Sequence, residues 1–117
     1  MKLEDISKIA VIGAGTMGQG IAQICAMAGY EVVIYDLSEQ ALVTAEANIS
    51  TNLDKGIERG KVTQAEKIAS LERITFSGDE RSLVADVIIE AIIENLDVKK
   101  ALFANLEAIN SENTILA

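Results

Sequence analysis

An apolar run, Ile9-Ala10-Val11-Ile12, passes directly into Gly13-Ala14-Gly15-Thr16-Met17-Gly18. Few folds accept that order. The apolar run reads as a short buried strand, residues 8–12. The glycines read as a turn that opens a helix over residues 16–28. A second apolar run, Glu31 to Tyr35, then ends on Asp36. Three requirements of one ligand class are met in sequence. A diphosphate needs bare backbone N–H groups at a helix N-terminus. Close approach of a ligand to the backbone needs glycine. A ribose needs a fixed hydrogen-bond acceptor. Strand, glycine turn, helix, strand and acid together form a dinucleotide fingerprint.

Each position has a physical assignment. Gly13 allows the tight turn out of the strand, Gly15 lets the diphosphate near the backbone, and Gly18 permits close packing of helix on sheet. Thr16 and Met17 lie where their N–H groups face phosphate oxygens. Gly18, Ala22 and Ala26 recur every four residues, so one helix face carries almost no side chain. Asp36 accepts from both ribose hydroxyls and repels a 2′-phosphate, and Leu37 after it supplies no compensating charge. NAD is therefore favoured over NADP. The glycine turn alone does not separate NAD from FAD, and methylation enzymes share a looser form of it.

The remaining chain alternates strands with helices. Gly29 stops the first helix. Ser38 offers an N-cap for a helix over about 39–57, with Leu42, Ala45, Ile49 and Leu53 inward. Gly56 and Gly60 frame a polar break, and Thr63 with Glu66 forms a capping-box pair that starts a short helix. Strands are expected at Ile74–Phe76, Val87–Ile89 and Thr114–Leu116, with a loop or short helix near residues 80–84 and a helix over Leu96–Ile109. This is α/β organisation of the Rossmann type, a doubly wound parallel sheet with a helical excursion between the second and third strands. Right-handed crossovers predict strand order 3-2-1-4-5, with the switch point between the first and fourth strands.

The 117 residues fit one domain, and half of them are hydrophobic. The net charge of −8 argues against a nucleic-acid binder and against docking on an anionic membrane. No apolar run approaches a membrane span, and residues 1–8 lack an apolar signal core, so a cytoplasmic location is the expectation. Cys25 reads as a core thiol, because the chain has no histidine to activate it. The same absence removes the commonest metal ligand and the commonest acid–base group, so no metal site and no catalytic residue is assigned.

Two longer strings carry a resemblance. The first is Ile12-Gly13-Ala14-Gly15-Thr16-Met17-Gly18-Gln19-Gly20-Ile21-Ala22-Gln23. The second is Ala85-Asp86-Val87-Ile88-Ile89-Glu90-Ala91-Ile92-Ile93-Glu94-Asn95-Leu96-Asp97-Val98-Lys99-Lys100. With the closing Asn113-Thr114-Ile115-Leu116-Ala117 they resemble the 3-hydroxyacyl-CoA dehydrogenases, including the bacterial 3-hydroxybutyryl-CoA dehydrogenases, from about Ile6 onward. The resemblance implies reversible oxidation of a (3S)-3-hydroxyacyl-CoA with NAD. It implies that Glu94 and Lys99 contact the nicotinamide side of the cofactor, and that Ala91 and Ile92 line its path. Asn52, Lys55 and Arg59 would contact coenzyme A, although the family often has Ser or Lys where this chain has Asn52 and Arg59. The resemblance further implies that residues 1–117 are the NAD-binding domain of a longer enzyme. Its catalytic His and the Glu that orients it would lie in a helical domain beyond residue 117, which also makes a homodimer. On that reading this stretch binds cofactor without catalysing. Two other readings share the fingerprint: a different NAD-dependent 3-hydroxyacid dehydrogenase, and a free-standing NAD-binding or redox-sensing module.

Overall fold

The computed structural model describes residues 6–91 and the strand pair position 115–116. The predictions for Ile92, Glu94, Lys99 and the helix Leu96–Ile109 lie outside the described residues.

The elements follow in the order β1 (Lys8–Ile12), α1 (Thr16–Met27), β2 (Glu31–Tyr35), α2 (Glu39–Glu58), α3 (Gln64–Glu72), β3 (Ile74–Ser77), a 3₁₀ turn at Glu80–Ser82, β4 (Val87–Glu90) and β5 (Ile115–Leu116). All five strands are parallel, in the order β3-β2-β1-β4-β5. The register pairs Ile9 and Val11 with Val32 and Ile34 on one side, and with Val87 and Ile89 on the other.

Alternation along the strands divides the core. Ile9, Val11, Val32, Ile34 and Ile74 pack with Ala22, Ala26, Ala45, Ile49 and Leu53 from the helices. Ala10, Ile12, Val33, Tyr35 and Ile88 face the other way, against Leu83 and Ala85. With both faces covered, the strands read as continuous apolar runs rather than as polar–apolar alternation. Ile49 and Leu53 are fully buried, and each such side chain contributes about 1.5–3 kcal/mol of burial.

The helix signals hold. The Ser38 hydroxyl accepts from the Ala41 N–H at 3.1 Å. The Thr63 hydroxyl accepts from the Glu66 N–H, and the Glu66 carboxylate accepts from the Thr63 N–H, each at 3.1 Å. Gly29, at φ +102°, follows the end of α1. Cys25 is half-buried against the core, and burial pushes its thiol pKa up.

One expectation fails. Gly56 is not one side of a break; α2 runs through it to Glu58. The chain then turns back at Gly60, and the N–H groups of Lys61 and Val62 both donate to the Gly56 carbonyl. Val62 lies over the helix so closely that a Cβ at Gly56 would meet its Cγ2 at 2.7 Å. Gly56 is a packing notch in a continuous helix.

Candidate functional site

In a parallel sheet every strand ends on the same side, and the two crossovers that leave β1 and β4 in opposite directions open a crevice there. The glycine turn sits at this place. The Ala91 N–H donates to the Ile12 carbonyl at 2.8 Å, which sets the end of β4 beside the start of the turn. Ala91 is thereby set beside the turn.

The turn is fastened from several directions. The Gly13 N–H donates to the Tyr35 carbonyl at 2.7 Å, and Gly13 has φ +108°, a conformation that strains any residue with a Cβ. At Gly18 a Cβ would stand 1.8 Å from the Gly13 carbonyl oxygen. The first turn of α1 thus packs on the backbone that precedes it, and no side chain fits between.

The N-terminus of α1 is left open. Gly15 is its N-cap, no side chain caps it, and its first turn holds no acid. Nothing lies within 4 Å of the place where a Gly15 Cβ would be. Gly15, Thr16 and Met17 are exposed, while Ala14 and Gly18 are buried. A helix N-terminus carries about half a positive charge and unsatisfied N–H donors. An anion fits here without displacing any protein group.

Asp36 stands at the end of β2, and its carboxylate has a second duty that the fingerprint does not announce. Oδ2 accepts from the Ala14 N–H at 3.0 Å, and Oδ1 accepts from the Ser38 N–H at 2.8 Å. A carboxylate has about four acceptor positions, so capacity remains for two hydroxyl donors. Beside it opens a cavity of about 410 Å³, whose apolar wall is Leu37, Leu42, Val43 and Phe76 and whose rim carries Glu39 and Glu46. A flat heteroaromatic ring suits that wall, and the acids repel any additional phosphate. Sequence reasoning missed this wall. Its signal was available in two exposed apolar residues, Leu37 and Val43, directly after the acid and one turn into the next helix.

Gln19 and Asn48 were also missed. The Gln19 amide donates to the Ala14 carbonyl at 3.0 Å and accepts from the Asn48 amide at 3.1 Å. Asn52 and Lys55 are exposed on α2, and Arg59 is its C-cap. Asn48, Asn52, Lys55 and Arg59 follow one another at helical spacing, so they share a stripe down α2. Among the described residues no group of His, Cys, Asp and Glu is placed to hold a metal ion, and no helix is long and apolar enough to cross a membrane.

Known proteins place the chain. The family described as "3-hydroxyacyl-CoA dehydrogenase, NAD binding domain" matches residues 8–117. The 3-hydroxyadipyl-CoA dehydrogenase of Escherichia coli is 42% identical over 96% of this chain, and a 3-hydroxybutyryl-CoA dehydrogenase of Mycobacterium tuberculosis is 40% identical over 89%. The chain spans 24% and 37% of those two proteins. The crystal structure of (S)-3-hydroxybutyryl-CoA dehydrogenase from Ralstonia eutropha superposes with TM-score 0.88 at 39% identity, over 95% of this chain and 40% of that one. That of the 3-hydroxybutyryl-CoA dehydrogenase from E. coli gives 0.90 at 42%, over 95% of this chain and 24% of that one. Sequence and backbone agree: the chain belongs to the NAD-binding domain family of the 3-hydroxyacyl-CoA dehydrogenases.

Proposed function

We propose that this chain holds NAD(H) across the β1–β4 crevice, as the cofactor half of an enzyme that interconverts (3S)-3-hydroxyacyl-CoA and 3-oxoacyl-CoA. The pyrophosphate rests over Gly15, against the N–H groups of Gly15, Thr16 and Met17, with Gly13 and Gly18 shaping the turn beneath it. Asp36 accepts from the adenosine ribose, and the adenine lies against Leu37, Val43 and Phe76. The observation that carries this reading is the open first turn of α1, free of cap and acid, facing the Asp36 carboxylate. The cofactor supplies hydride acceptance and donation when bound.

What this chain's residues contribute is position and charge. The turn's dipoles are set before the anion arrives, which avoids the cost of ordering them on binding. Ala91 and Ile92 line the way to the nicotinamide, with Glu94 and Lys99 at that end. Asn52, Lys55 and Arg59 meet the coenzyme A of the substrate. The chain has no histidine, and on this reading the histidine that takes the hydroxyl proton belongs to another part of the whole protein. We propose that the whole protein is a cytoplasmic homodimer, joined through that other part.

An NADH fluorescence titration tests the assignment. The unmodified chain is expected to bind NADH at least about tenfold more tightly than NADPH, since the 2′-phosphate meets Asp36, Glu39 and Glu46. Asp36→Ala is expected to weaken NADH about tenfold or more, in line with loss of charge-assisted hydrogen bonds. Unchanged affinity in Asp36→Ala removes Asp36 from the site. Equal affinity for NADPH rejects the role given to the three acids.

A further inference from the structure

Ala14 has its N–H held by Asp36 and its carbonyl held by Gln19. The second contact has a geometric consequence. The Ala14 carbonyl and the Gly15 N–H belong to one peptide group, which is trans like every peptide bond described here. In a trans peptide the oxygen and the hydrogen point in opposite directions. Fixing the carbonyl oxygen therefore fixes where the Gly15 N–H points.

The orientation of the Gln19 amide is itself determined. A carbonyl oxygen only accepts, so Gln19 must present its NH₂ to Ala14 and its oxygen outward. Asn48 donates to that outward oxygen from α2, 29 residues away in sequence. Gln19 is thus held at both ends, by α1's own preceding turn and by the neighbouring helix.

We propose that Gln19 is a positioning residue that aims the Gly15 N–H at the bound pyrophosphate, and that Asn48 locks Gln19 in that role. This rests on the glycine turn being the dinucleotide site. Asn48 also heads the stripe Asn52, Lys55 and Arg59, so α2 reports on the cofactor turn through one side-chain bridge.

The test uses the full chain with Gln19→Ala, Asn48→Ala and the double variant, read by NADH titration, thermal midpoint and the amide resonance of Gly15. Loss of one hydrogen bond of this kind corresponds to about three- to tenfold in affinity. Gln19→Ala is expected to raise the NADH Kd about that much, Asn48→Ala about two- to threefold, and the double variant no more than Gln19→Ala. The Gly15 amide resonance is expected to move or broaden in both single variants before ligand is added, with thermal midpoints lowered by no more than the roughly 4–8 °C that about 1 kcal/mol implies. An unchanged Kd in Gln19→Ala, or additive effects in the double variant, overturns the proposal. So does a loss of affinity that merely tracks a lowered thermal midpoint. Failure of the unmodified chain to bind NADH overturns the site assignment instead, and in that case the Gly15 resonance still decides whether Gln19 orients the turn.

Discussion

The glycine turn and the α2–α3 excursion each contain a helix with a glycine inside it, yet the two regions are fastened in different ways. The turn is tied by partners remote in sequence: Gly13 to Tyr35, Ala14 to Asp36, Ile12 to Ala91. The excursion is tied mostly by neighbours: the Ser38 cap, the Thr63–Glu66 box, the closure of residues 61 and 62 on Gly56, and the Lys67–Asp54 ion pair at 2.6 Å. Among the described residues only side chains, Asn48 to Gln19 and Arg73 to the Ala26 carbonyl, give it long-range hydrogen bonds to α1. At Gly18 the obstacle to a side chain is backbone, 1.8 Å from the missing Cβ; at Gly56 it is the end of a valine, at 2.7 Å. A backbone atom fixed by a sheet cannot retreat, whereas a valine in a surface turn can. Rigidity is concentrated where a ligand must find donors already in place.

The sharpest way to break this contrast is Gly18→Ala. The helix has to lift from the turn, which is expected to cost about 3 kcal/mol or more and to abolish NADH binding, as read by chemical denaturation and by titration. Gly56→Ala is expected to be far milder. Displacement of Val62 is partly offset by the roughly 1 kcal/mol that alanine gains over glycine inside a helix, leaving a net cost of about 1 kcal/mol or less, with NADH affinity unchanged. Equal penalties at the two positions would mean that the excursion is as firmly set as the turn, and the contrast would fail.

A smaller effect sharpens it at the other end of β1. Asp86 Oδ2 accepts from the N–H groups of Ser7 and Lys8 and from the Ser7 hydroxyl. Those backbone hydrogen bonds hold its carboxyl below the usual value of 3.8. The ionised form is favoured in the folded chain. Its stabilisation is therefore complete above the unfolded carboxylate value and is lost as pH falls through the lower folded value. The group lies near solvent, so the amount is under about 1 kcal/mol. Asp86→Asn is expected to flatten the pH dependence of stability below about pH 4. Amide exchange in β1 is expected to show that change, and amide exchange in α3 is not.

Local chemistry was readable from the chain. Strand runs, the glycine spacing, Asp36, the Ser38 cap and the Thr63–Glu66 box depend on residues close together, and each appears where expected. So does the strand order, because crossover handedness leaves few alternatives. What escaped depends on where the chain returns in space. Gly56 looks like a break until Val62 is known to return over it. Gln19 looks like an ordinary helix residue until Asn48 arrives. Asp36 looks like a ribose acceptor, and its bond to Ala14 shows that the same carboxylate also shapes the turn beside the ligand it is proposed to hold. The apolar wall was hidden for a related reason: Leu37 and Phe76 come from opposite ends of the excursion and meet only in the fold.

The strand order has a consequence for the chain as it is made. β1 lies in the middle of the sheet, between β2 and β4, but β4 begins 79 residues after β1 does. During synthesis β2 can join β1 early, while the opposite edge of β1 stays unpaired until residues 87–90 have emerged. An open apolar edge of this kind recruits other strands. The central strand of the finished sheet is therefore the one that waits longest for its second partner, and truncation before β4 would leave that edge open.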